Sequence, residues 1–277
     1  MMRILLAFFL VSCSQETTPS AVEAGTMVPV GAIDREAQLL VPLDHDGRTE
    51  RPLVVLLHGL GASAGVQDLL FQLSPRTRRE GIYLVLPEGS RGPDGRRFWN
   101  ATEECCDFHD TNVDDEGYLL DLLDEVEALV PVDRERVYFV GHSNGGFMSY
   151  RMACRHSDRI TGVIAVAGLG FRSIEECGSP APLNVLHIHG DADDQVPFAP
   201  YASEEVDRWA ARANCAESTE LAPIDLDTGI DGSETTRLQY TGCEVDRDVQ
   251  LWTIHGGGHI PALGRAFSDA VIEWATR

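Results

Sequence analysis

The sequence is poor in basic residues, with 22 lysines and arginines against 44 aspartates and glutamates in 277 residues. The formal net charge of −22 at pH 7 argues against binding to nucleic acid phosphates or to anionic lipid surfaces. A neutral or cationic substrate is favoured over a polyanion. The sequence therefore predicts no nucleic acid partner, and it leaves the oligomeric state open.

Long apolar segments, internal repeats and low-complexity tracts are also missing. The N-terminal apolar run over residues 4–11 is too short to span a bilayer as a helix. Hydrophobic residues make up 43% of the chain and charged residues 24%, which is typical of a globular protein with a sizeable core. With no sign of a second core, we predict a single catalytic domain over residues 27–277.

The N-terminus has the features of an export signal. A basic start at Arg3 precedes the apolar run, which ends at Ser12-Cys13 and resembles the lipobox of bacterial lipoproteins. We predict a lipoprotein-type signal peptide over residues 1–12, lipidation of Cys13 and a tether over residues 13–26. The expected location is the bacterial cell envelope, with the lipid anchor as the only membrane contact. An ordinary secretory signal and a secreted protein are the alternative.

The chain lacks Cys-x-x-Cys spacing and clustered histidines, so we expect no zinc site. Helix capping is favoured over calcium binding for Asp114 and Asp115, and we expect no metal and no cofactor. Six cysteines remain after Cys13, and an even number in an exported chain predicts three disulfides. Cys215 and Cys243 flank one acidic segment and are predicted to pair.

The sequence leaves the pairing of the other four cysteines open. Bridge geometry disfavours a bond between neighbours, so Cys105 and Cys106 are not expected to bond to each other. They are expected to reach Cys154 and Cys177, in an order that the sequence leaves open.

Strand-like and helix-like segments alternate along the chain. Short apolar runs that predict buried parallel strands lie at residues 53–57, 82–86, 137–140, 163–167, 185–188 and 249–254. Helical spacing marks residues 115–130, 144–156, 201–214 and 262–276. This alternation predicts an α/β fold, with a mostly parallel sheet, helices on both faces and no large cap domain. Antiparallel edge strands are expected in residues 27–43, and residues 216–248 form an acidic excursion that could be a hairpin.

One motif suggests a catalytic nucleophile. Gly141-His142-Ser143-Asn144-Gly145 fits the Gly-x-Ser-x-Gly pattern and lies between a predicted strand and a predicted helix, as the nucleophile elbow of the α/β-hydrolase fold requires. The glycines permit a sharp turn that projects Ser143 above the sheet, and the helix N-terminus favours developing negative charge. Ser143 is therefore the predicted nucleophile, with a glycine-rich turn without chemistry as the alternative.

A serine nucleophile needs a histidine base, and that histidine needs an orienting carboxylate. In this fold the chain order is serine, acid, histidine. His259 lies in a loop freed by three glycines and is preferred as the base over His255, which ends a strand. Spacing alone does not separate the candidates for the acid, which are Asp191, Asp193 and Asp194.

The oxyanion formed in acyl transfer needs backbone donors aimed at it. One is expected from the N–H of Asn144, the residue after the nucleophile, and the other from the N–H of Leu60 in the glycine-rich loop after an early strand. The side chain of His58 is predicted to border the substrate-binding site in a structural role, not an acid/base one.

Taken together, these motifs resemble the polyhydroxybutyrate depolymerase and feruloyl esterase-like group of secreted esterases. The resemblance covers residues 53–274. It rests on His58-Gly59, Phe98-Trp99-Asn100, Cys105-Cys106-Asp107, Val113-Asp114-Asp115, the extended nucleophile motif through Gly146, residues 189–197 and Gly257-Gly258-His259.

The resemblance implies specific roles. The group's His-Gly-x-x-Asp pattern ends on Asp193, which makes Asp193 the acid, and its Gly-Gly-His pattern supports His259. Its Trp-Asn segment places Trp99 near the acyl or alcohol pocket, with simple loop packing as the alternative. Relatives often continue with Trp-Pro after the histidine, whereas Ile260-Pro261 follows here, so the inherited substrate preference is in doubt.

The predicted function is that of a secreted serine esterase, a carboxylic ester hydrolase that acts through an acyl-enzyme. Its partner is a small-molecule or polymer-derived ester, whose acyl and alcohol groups the sequence does not identify. A serine peptidase of the same fold and a catalytically inactive surface binding module are the alternatives.

Overall fold

The computed structural model of the protein describes residues 22–277. The predicted signal peptide, Cys13 and most of the predicted tether lie outside these residues. The strands are β1 (Met27–Val30), β2 (Ala37–Leu40), β3 (Arg51–Leu57), β4 (Tyr83–Leu86), β5 (Ser90–Arg91), β6 (Arg97–Phe98), β7 (Val132–His142), β8 (Gly162–Val166), β9 (Asn184–Gly190), β10 (Glu217–Ile224), β11 (Thr235–Thr241) and β12 (Val249–Ile254). The helices are α1 (Ala64–Phe71), α2 (Leu73–Thr77), α3 (Asp115–Leu129), α4 (Asn144–Arg155), α5 (Ile174–Cys177), α6 (Tyr201–Arg212) and α7 (Arg265–Ala275).

Ten of these strands form one sheet, in the order β1-β2-β4-β3-β7-β8-β9-β12-β11-β10. The central strands from β4 to β12 pair in parallel. Antiparallel strands extend both edges, β1 and β2 on one side and β11 and β10 on the other. The predicted α/β fold with a mostly parallel sheet is confirmed.

Both faces of the sheet are buried, and the residues of β3 show why its sequence is apolar throughout. Leu53, Val55 and Leu57 point into one core, which α3, α4 and α6 cover. Val54 and Leu56 point into the other, which α1, α2 and α7 cover. Successive side chains of a strand alternate between its faces, so a strand between two helical layers must be apolar at every position.

Each predicted strand and helix is present, with small shifts at its ends. Residues 27–43 contain two antiparallel edge strands, and residues 216–248 contain the antiparallel pair β10 and β11, which extends the sheet. Helices α1, α2 and α5 and the short pair β5 and β6 were not predicted. At eight, five and four residues, these helices are too short for helical periodicity to stand out in the sequence.

Three disulfides occur among the described residues. They are Cys105–Cys106, Cys154–Cys177 and Cys215–Cys243. The predicted bond between Cys215 and Cys243 is confirmed, and it joins the end of α6 to the turn after β11.

The expected partners of Cys105 and Cys106 are wrong. Cys154 in α4 and Cys177 in α5 bond to each other, with their Cα atoms 4.8 Å apart, because α5 packs beside α4. Cys105 and Cys106, in the loop after β6, therefore form a bond with each other. The expectation rested on the geometry of an isolated pair of neighbours, whereas the tertiary fold decides which other cysteines are within reach.

Tryptic peptide mapping without reduction tests this pattern. Cleavage after arginine places Cys154 in residues 152–155 and Cys177 in residues 173–208, and we expect these two peptides to be joined. The peptide over residues 98–134 holds both Cys105 and Cys106, and it should run free of other peptides but gain two hydrogens on reduction. A crosslink between residues 98–134 and either of the other peptides would contradict the structure.

Candidate active site

Ser143 lies in a sharp turn between the end of β7 and the start of α4. Its φ of 51° falls in the left-handed region, which is unfavourable for a residue with a Cβ and costs about 1–3 kcal/mol. The Ser143 N–H donates to the carbonyl of Val166 on the neighbouring strand β8, at 2.8 Å. The turn directs the Ser143 side chain into a cavity at the carboxyl end of the sheet.

The glycines of the motif allow the backbone of α4 to pack directly on the strands. A Cβ at Gly145 would lie 2.3 Å from the carbonyl oxygen of Leu57 in β3, and a Cβ at Gly141 would lie 2.2 Å from the carbonyl oxygen of Gly145. Both distances are too short for any side chain, so these positions require glycine. The close approach positions the N-terminus of α4 beside the end of β3.

His259 reaches Ser143 from the loop after β12. Its Nε2 lies 2.9 Å from Ser143 Oγ. His142 holds this loop in place, because its Nε2 donates to the His259 carbonyl at 2.8 Å. A second tie comes from the Ala192 N–H, which donates to the Gly257 carbonyl at 3.0 Å.

Asp193 is the carboxylate that the structure brings to His259. Its Oδ2 accepts from His259 Nδ1 at 2.8 Å and from His189 Nε2 at 3.1 Å. Its Oδ1 accepts from the backbone N–H groups of Gln195 and Val196, at 2.8 and 2.9 Å. Burial pulls the pKa of Asp193 upward, but these donors outweigh burial and hold the pKa well below its usual range.

The other candidates for acid and base lie away from Ser143. His255 Nδ1 donates to Asp191 Oδ2 at 2.9 Å, and this pair stands on the surface at the ends of β9 and β12. Asp194 is exposed. The structure therefore brings Ser143, His259 and Asp193 together in one hydrogen-bonded series.

The two predicted oxyanion donors lie on different segments, and only Leu60 is part of the cavity lining. Leu60 lines the cavity, and Asn144 is the first residue of α4, directly after Ser143. Within residues 22–277, neither backbone N–H donates to a protein acceptor. An oxyanion donor needs such an unpaired N–H, so the structure is compatible with the predicted role of both amides.

Trp99 and His58 do not contact the cavity, contrary to the expectation that they border the substrate. Both side chains are fully buried, at 0% exposure. The Trp99 indole donates to the His58 carbonyl at 3.0 Å. The backbone of Trp99 exchanges two hydrogen bonds with the Asn144 side chain, at 2.7 and 2.8 Å. Both residues support the site from the core, because their polar groups form hydrogen bonds with the backbone around it.

The cavity above Ser143 has a volume of about 890 Å³. Its apolar lining includes Leu60, Val66, Leu70, Phe108, Phe147, Leu169 and Ile260, and the Cys105–Cys106 disulfide forms part of the wall. Its charged residues are largely paired. Arg172 bonds to Glu104 at 3.1 Å and Arg96 to Asp94 at 2.7 Å, and Arg208 is bound to Glu205. The cavity is suited to a largely apolar, uncharged molecule.

Two buried histidines near the site are neutral. Burial lowers the pKa of His58 and of His142 to about 4 each. Hydrogen bonding agrees with this state for His58, whose Nδ1 donates to the Gly59 carbonyl while its Nε2 accepts from the Gly89 N–H. Protonation of either ring would place a positive charge in a buried position.

Several supporting residues were not predicted from the sequence. They are His142, which holds the His259 loop, the Asn144 side chain, which holds Trp99, and His189, which bonds to Asp193. His142 and Asn144 occupy the variable positions of the Gly-x-Ser-x-Gly motif, which assigns no role to their side chains. His189 begins the His-Gly-x-x-Asp pattern, which could have indicated a partner for the acid.

The chain is similar to a known protein family and to several known proteins. The phospholipase/carboxylesterase family of α/β-hydrolases matches residues 44–206, which is more than half of the chain. The putative esterase NocK of Nocardia uniformis is 29% identical over 76% of this chain, and feruloyl esterase B of Piromyces equi is 26% identical over 87%. The chain spans 65% of the length of the first and 45% of the second. Feruloyl esterase D of Neurospora crassa is 25% identical, with 82% of this chain and 74% of that protein covered.

Solved structures share the fold. An acetyl xylan esterase from Aspergillus awamori superposes with a TM-score of 0.65 at 14% identity and covers 91% of this chain and 99% of that chain. An S-formylglutathione hydrolase from Agrobacterium tumefaciens has a TM-score of 0.59 at 14% identity, with coverages of 92% and 97%. At these identities the likeness shows the fold alone.

The neutral buried histidines predict a loss of stability between pH 7 and pH 5. In the unfolded chain His58 and His142 regain a pKa of 6.5, so that below this pH the unfolded state binds more protons than the folded state. Stability is therefore full above about pH 6.5 and falls as the pH approaches 4. We expect each histidine to remove about 2 kcal/mol from the free energy of unfolding between pH 7 and pH 5.

Urea denaturation at the two pH values measures this change. His142→Gln should reduce the difference between the two pH values, whereas the control His109→Gln, at an exposed histidine 3.3 Å from Asp94, should not reduce it, because that pair is favoured at low pH. An equal pH dependence in the wild type and in His142→Gln would contradict the assignment.

Proposed function

Because the chain belongs to the phospholipase/carboxylesterase family of α/β-hydrolases, we propose that it is a serine esterase that hydrolyses carboxylic esters through an acyl-enzyme. The observation that carries the proposal is the series Ser143, His259, Asp193, joined by hydrogen bonds of 2.9 and 2.8 Å at the edge of the cavity. The three groups follow the chain order of this fold, and each has the neighbour that its role needs.

In the proposed reaction, Ser143 Oγ attacks the ester carbonyl while His259 Nε2 takes the serine proton. His259 then gives this proton to the leaving alcohol, and in the second half it activates the water that releases the acid. Asp193 stays ionised throughout, because four N–H groups stabilise its charged form. Its bond to His259 Nδ1 keeps the Nε2 lone pair directed at Ser143.

The tetrahedral intermediate places a negative charge on the former carbonyl oxygen. We assign its two donors to the backbone N–H groups of Leu60 and Asn144, which have no acceptor among the described residues. The Asn144 side chain supports this arrangement, since its two bonds to Trp99 fix the first residue of α4. Donors that are held in place before the reaction do not need to reorganise during it.

The proposed substrate is a neutral ester with an apolar or aromatic acyl group. Support comes from the apolar lining of the cavity, from the pairing of Arg96, Arg172 and Arg208 with carboxylates, and from the similarity to proteins named feruloyl esterases. The depolymerase part of the sequence resemblance stays a prediction.

We also propose that a single catalytic domain over residues 27–277 is exported and that Cys13 tethers it to the bacterial cell envelope. Three disulfides are typical of an oxidising compartment and support export. Within residues 22–277 no helix has the length and apolar character to cross a membrane. Metabolic labelling with a fatty acid, compared between the wild type and Cys13→Ser, tests the anchor.

Replacing the nucleophile tests the reaction. Ser143→Ala should lower kcat on p-nitrophenyl acetate by at least about 10³-fold, because the remaining donors and cavity cannot form an acyl-enzyme. A fluorophosphonate probe should label the wild type and leave Ser143→Ala unlabelled. The control Ser218→Ala, on the exposed edge strand β10, should be labelled as the wild type.

Full activity of Ser143→Ala would refute the assignment of the nucleophile. An unlabelled and inactive wild type would instead favour the alternative of an inactive binding module.

A substrate panel tests the proposed ester. We expect hydrolysis of methyl ferulate and p-nitrophenyl acetate, with kcat/KM for methyl ferulate above that for a hydroxybutyrate oligomer, because an aromatic ring gains more from the apolar cavity. A peptide p-nitroanilide is the control for peptidase activity and should not react. Preference for the oligomer would favour the depolymerase alternative, and cleavage of the anilide would favour the peptidase.

A further inference from the structure

Asp193 is the end of a hydrogen-bonded chain that begins deep in the core. Tyr150 Oη lies 2.9 Å from His187 Nδ1, and His187 Nε2 lies 3.0 Å from His189 Nδ1. His189 Nε2 in turn lies 3.1 Å from Asp193 Oδ2. Tyr150, His187 and His189 are all fully buried, at 0% exposure. The reaction as proposed above uses His189 as one donor to Asp193 and gives no role to Tyr150 or His187.

The proton positions in this chain follow from its last step. His189 Nε2 faces both Asp193 Oδ2 and the carbonyl oxygen of Val196, which is 2.9 Å away. A carbonyl oxygen can only accept, so Nε2 must carry the proton. In a neutral ring His189 Nδ1 then accepts from His187 Nε2, and His187 Nδ1 accepts from the Tyr150 hydroxyl. Every donor points toward Asp193.

The reverse direction is disfavoured by the buried tyrosine. If His189 carried a proton on both nitrogens, Nδ1 would donate to His187, and His187 would have to donate to Tyr150. The Tyr150 hydroxyl would then have no acceptor among the described residues, and an unsatisfied donor in a fully buried position is destabilising. Burial also lowers the pKa of His187 well below its ordinary value, which keeps this ring neutral.

We propose that Tyr150 and His187 are positioning residues that act on the catalytic carboxylate of Asp193 through His189, because the hydrogen bond from His187 Nε2 to His189 Nδ1 holds that ring against Asp193 and Val196. The proposal rests on the proposed function for its consequence, since it assumes that Asp193 orients the base. Its basis, the hydrogen-bond chain and its direction, is independent of the reaction.

The consequence for the site follows from the shared oxygen. Asp193 Oδ2 accepts from both His189 and His259, so its position depends on both rings. Without the His187 donor, His189 Nδ1 would be a buried acceptor without a partner, and the ring could rotate away from its two oxygen acceptors. Rotation of the ring would weaken its bond to Asp193 and loosen the bond that holds His259. His187 and Tyr150 therefore contribute to the geometry of a base that they do not touch.

The first test is spectroscopic and needs no substrate. Nitrogen-15 NMR of histidine-labelled protein between pH 6 and 8 should show His187 and His189 with Nδ1 unprotonated and Nε2 protonated. In His187→Leu the resonance of the unprotonated His189 Nδ1 should shift, because this nitrogen loses the hydrogen bond that it accepts, and in His187→Gln it should return toward the wild-type position. A proton on His189 Nδ1 in the wild type would overturn the proposal, whether or not the protein proves to be an esterase.

The second test measures the effect on the reaction. His187→Leu should lower kcat per probe-reactive serine about tenfold while KM changes little, because the base is misplaced and the cavity is intact. His187→Gln should recover most of this loss, since its Oε1 can accept from Tyr150 and its Nε2 can donate to His189. Unchanged kcat in His187→Leu, or equal losses in both variants, would overturn the proposal.

Tyr150→Phe provides a milder variant in case His187→Leu does not fold. It removes a single hydroxyl and keeps the ring that stacks on His187 and Trp209. We expect the His189 signals to shift and kcat per reactive serine to fall about threefold. The matched control is Tyr138→Phe. It removes the hydroxyl of a buried tyrosine that is not part of this series of hydrogen bonds, and it should leave both readouts unchanged. Equal behaviour of the two tyrosine variants would refute a specific role for Tyr150.

Discussion

The carboxylate of Asp193 is the group on which the site depends, because four N–H donors converge on it. Two come from its own loop and two from the rings of His189 and His259. A buried carboxylate without such partners would be protonated or displaced. With them it remains ionised, and it joins the loop after β9 to the loop after β12. The arrangement ties the orientation of the base to the packing of the core through a single pair of oxygen atoms.

Ser143, the proposed nucleophile, depends on a different constraint, which is the close packing of backbone against backbone. Gly141 and Gly145 let α4 begin beside the end of β3, where Leu57 leads into the loop that carries Leu60. The strained φ of Ser143 is held by this packing and by its bond to β8. The two available amides therefore lie on elements that cannot move apart without breaking the core, as electrostatic stabilisation of an oxyanion requires.

Buried polar residues connect these two parts. His142 links the nucleophile turn to the carbonyl of His259, and Trp99 links the loop before α3 to the start of α4 through Asn144. Each side chain satisfies a backbone group that would otherwise be buried without a partner. These hydrogen bonds explain why the predicted role of Trp99 at the substrate had to be corrected. A tryptophan near a site can form the pocket or support it, and only its burial and hydrogen bonds separate the two roles.

The sequence by itself determined the α/β fold, the order of the longer strands and helices and the candidates Ser143 and His259, because apolar periodicity and short glycine motifs are local. It left three aspartates open as the acid, and the choice of Asp193 came from the family resemblance. What the sequence did not predict also has physical causes. Three short helices lack enough turns to show a period, and the partners of Cys105 and Cys106 depend on which cysteines the fold brings within reach. Only the tertiary structure decided that His142, His187 and His189 support the candidate triad, because the direction of a buried side chain and the contact of His142 with the distant His259 loop cannot be inferred from local spacing.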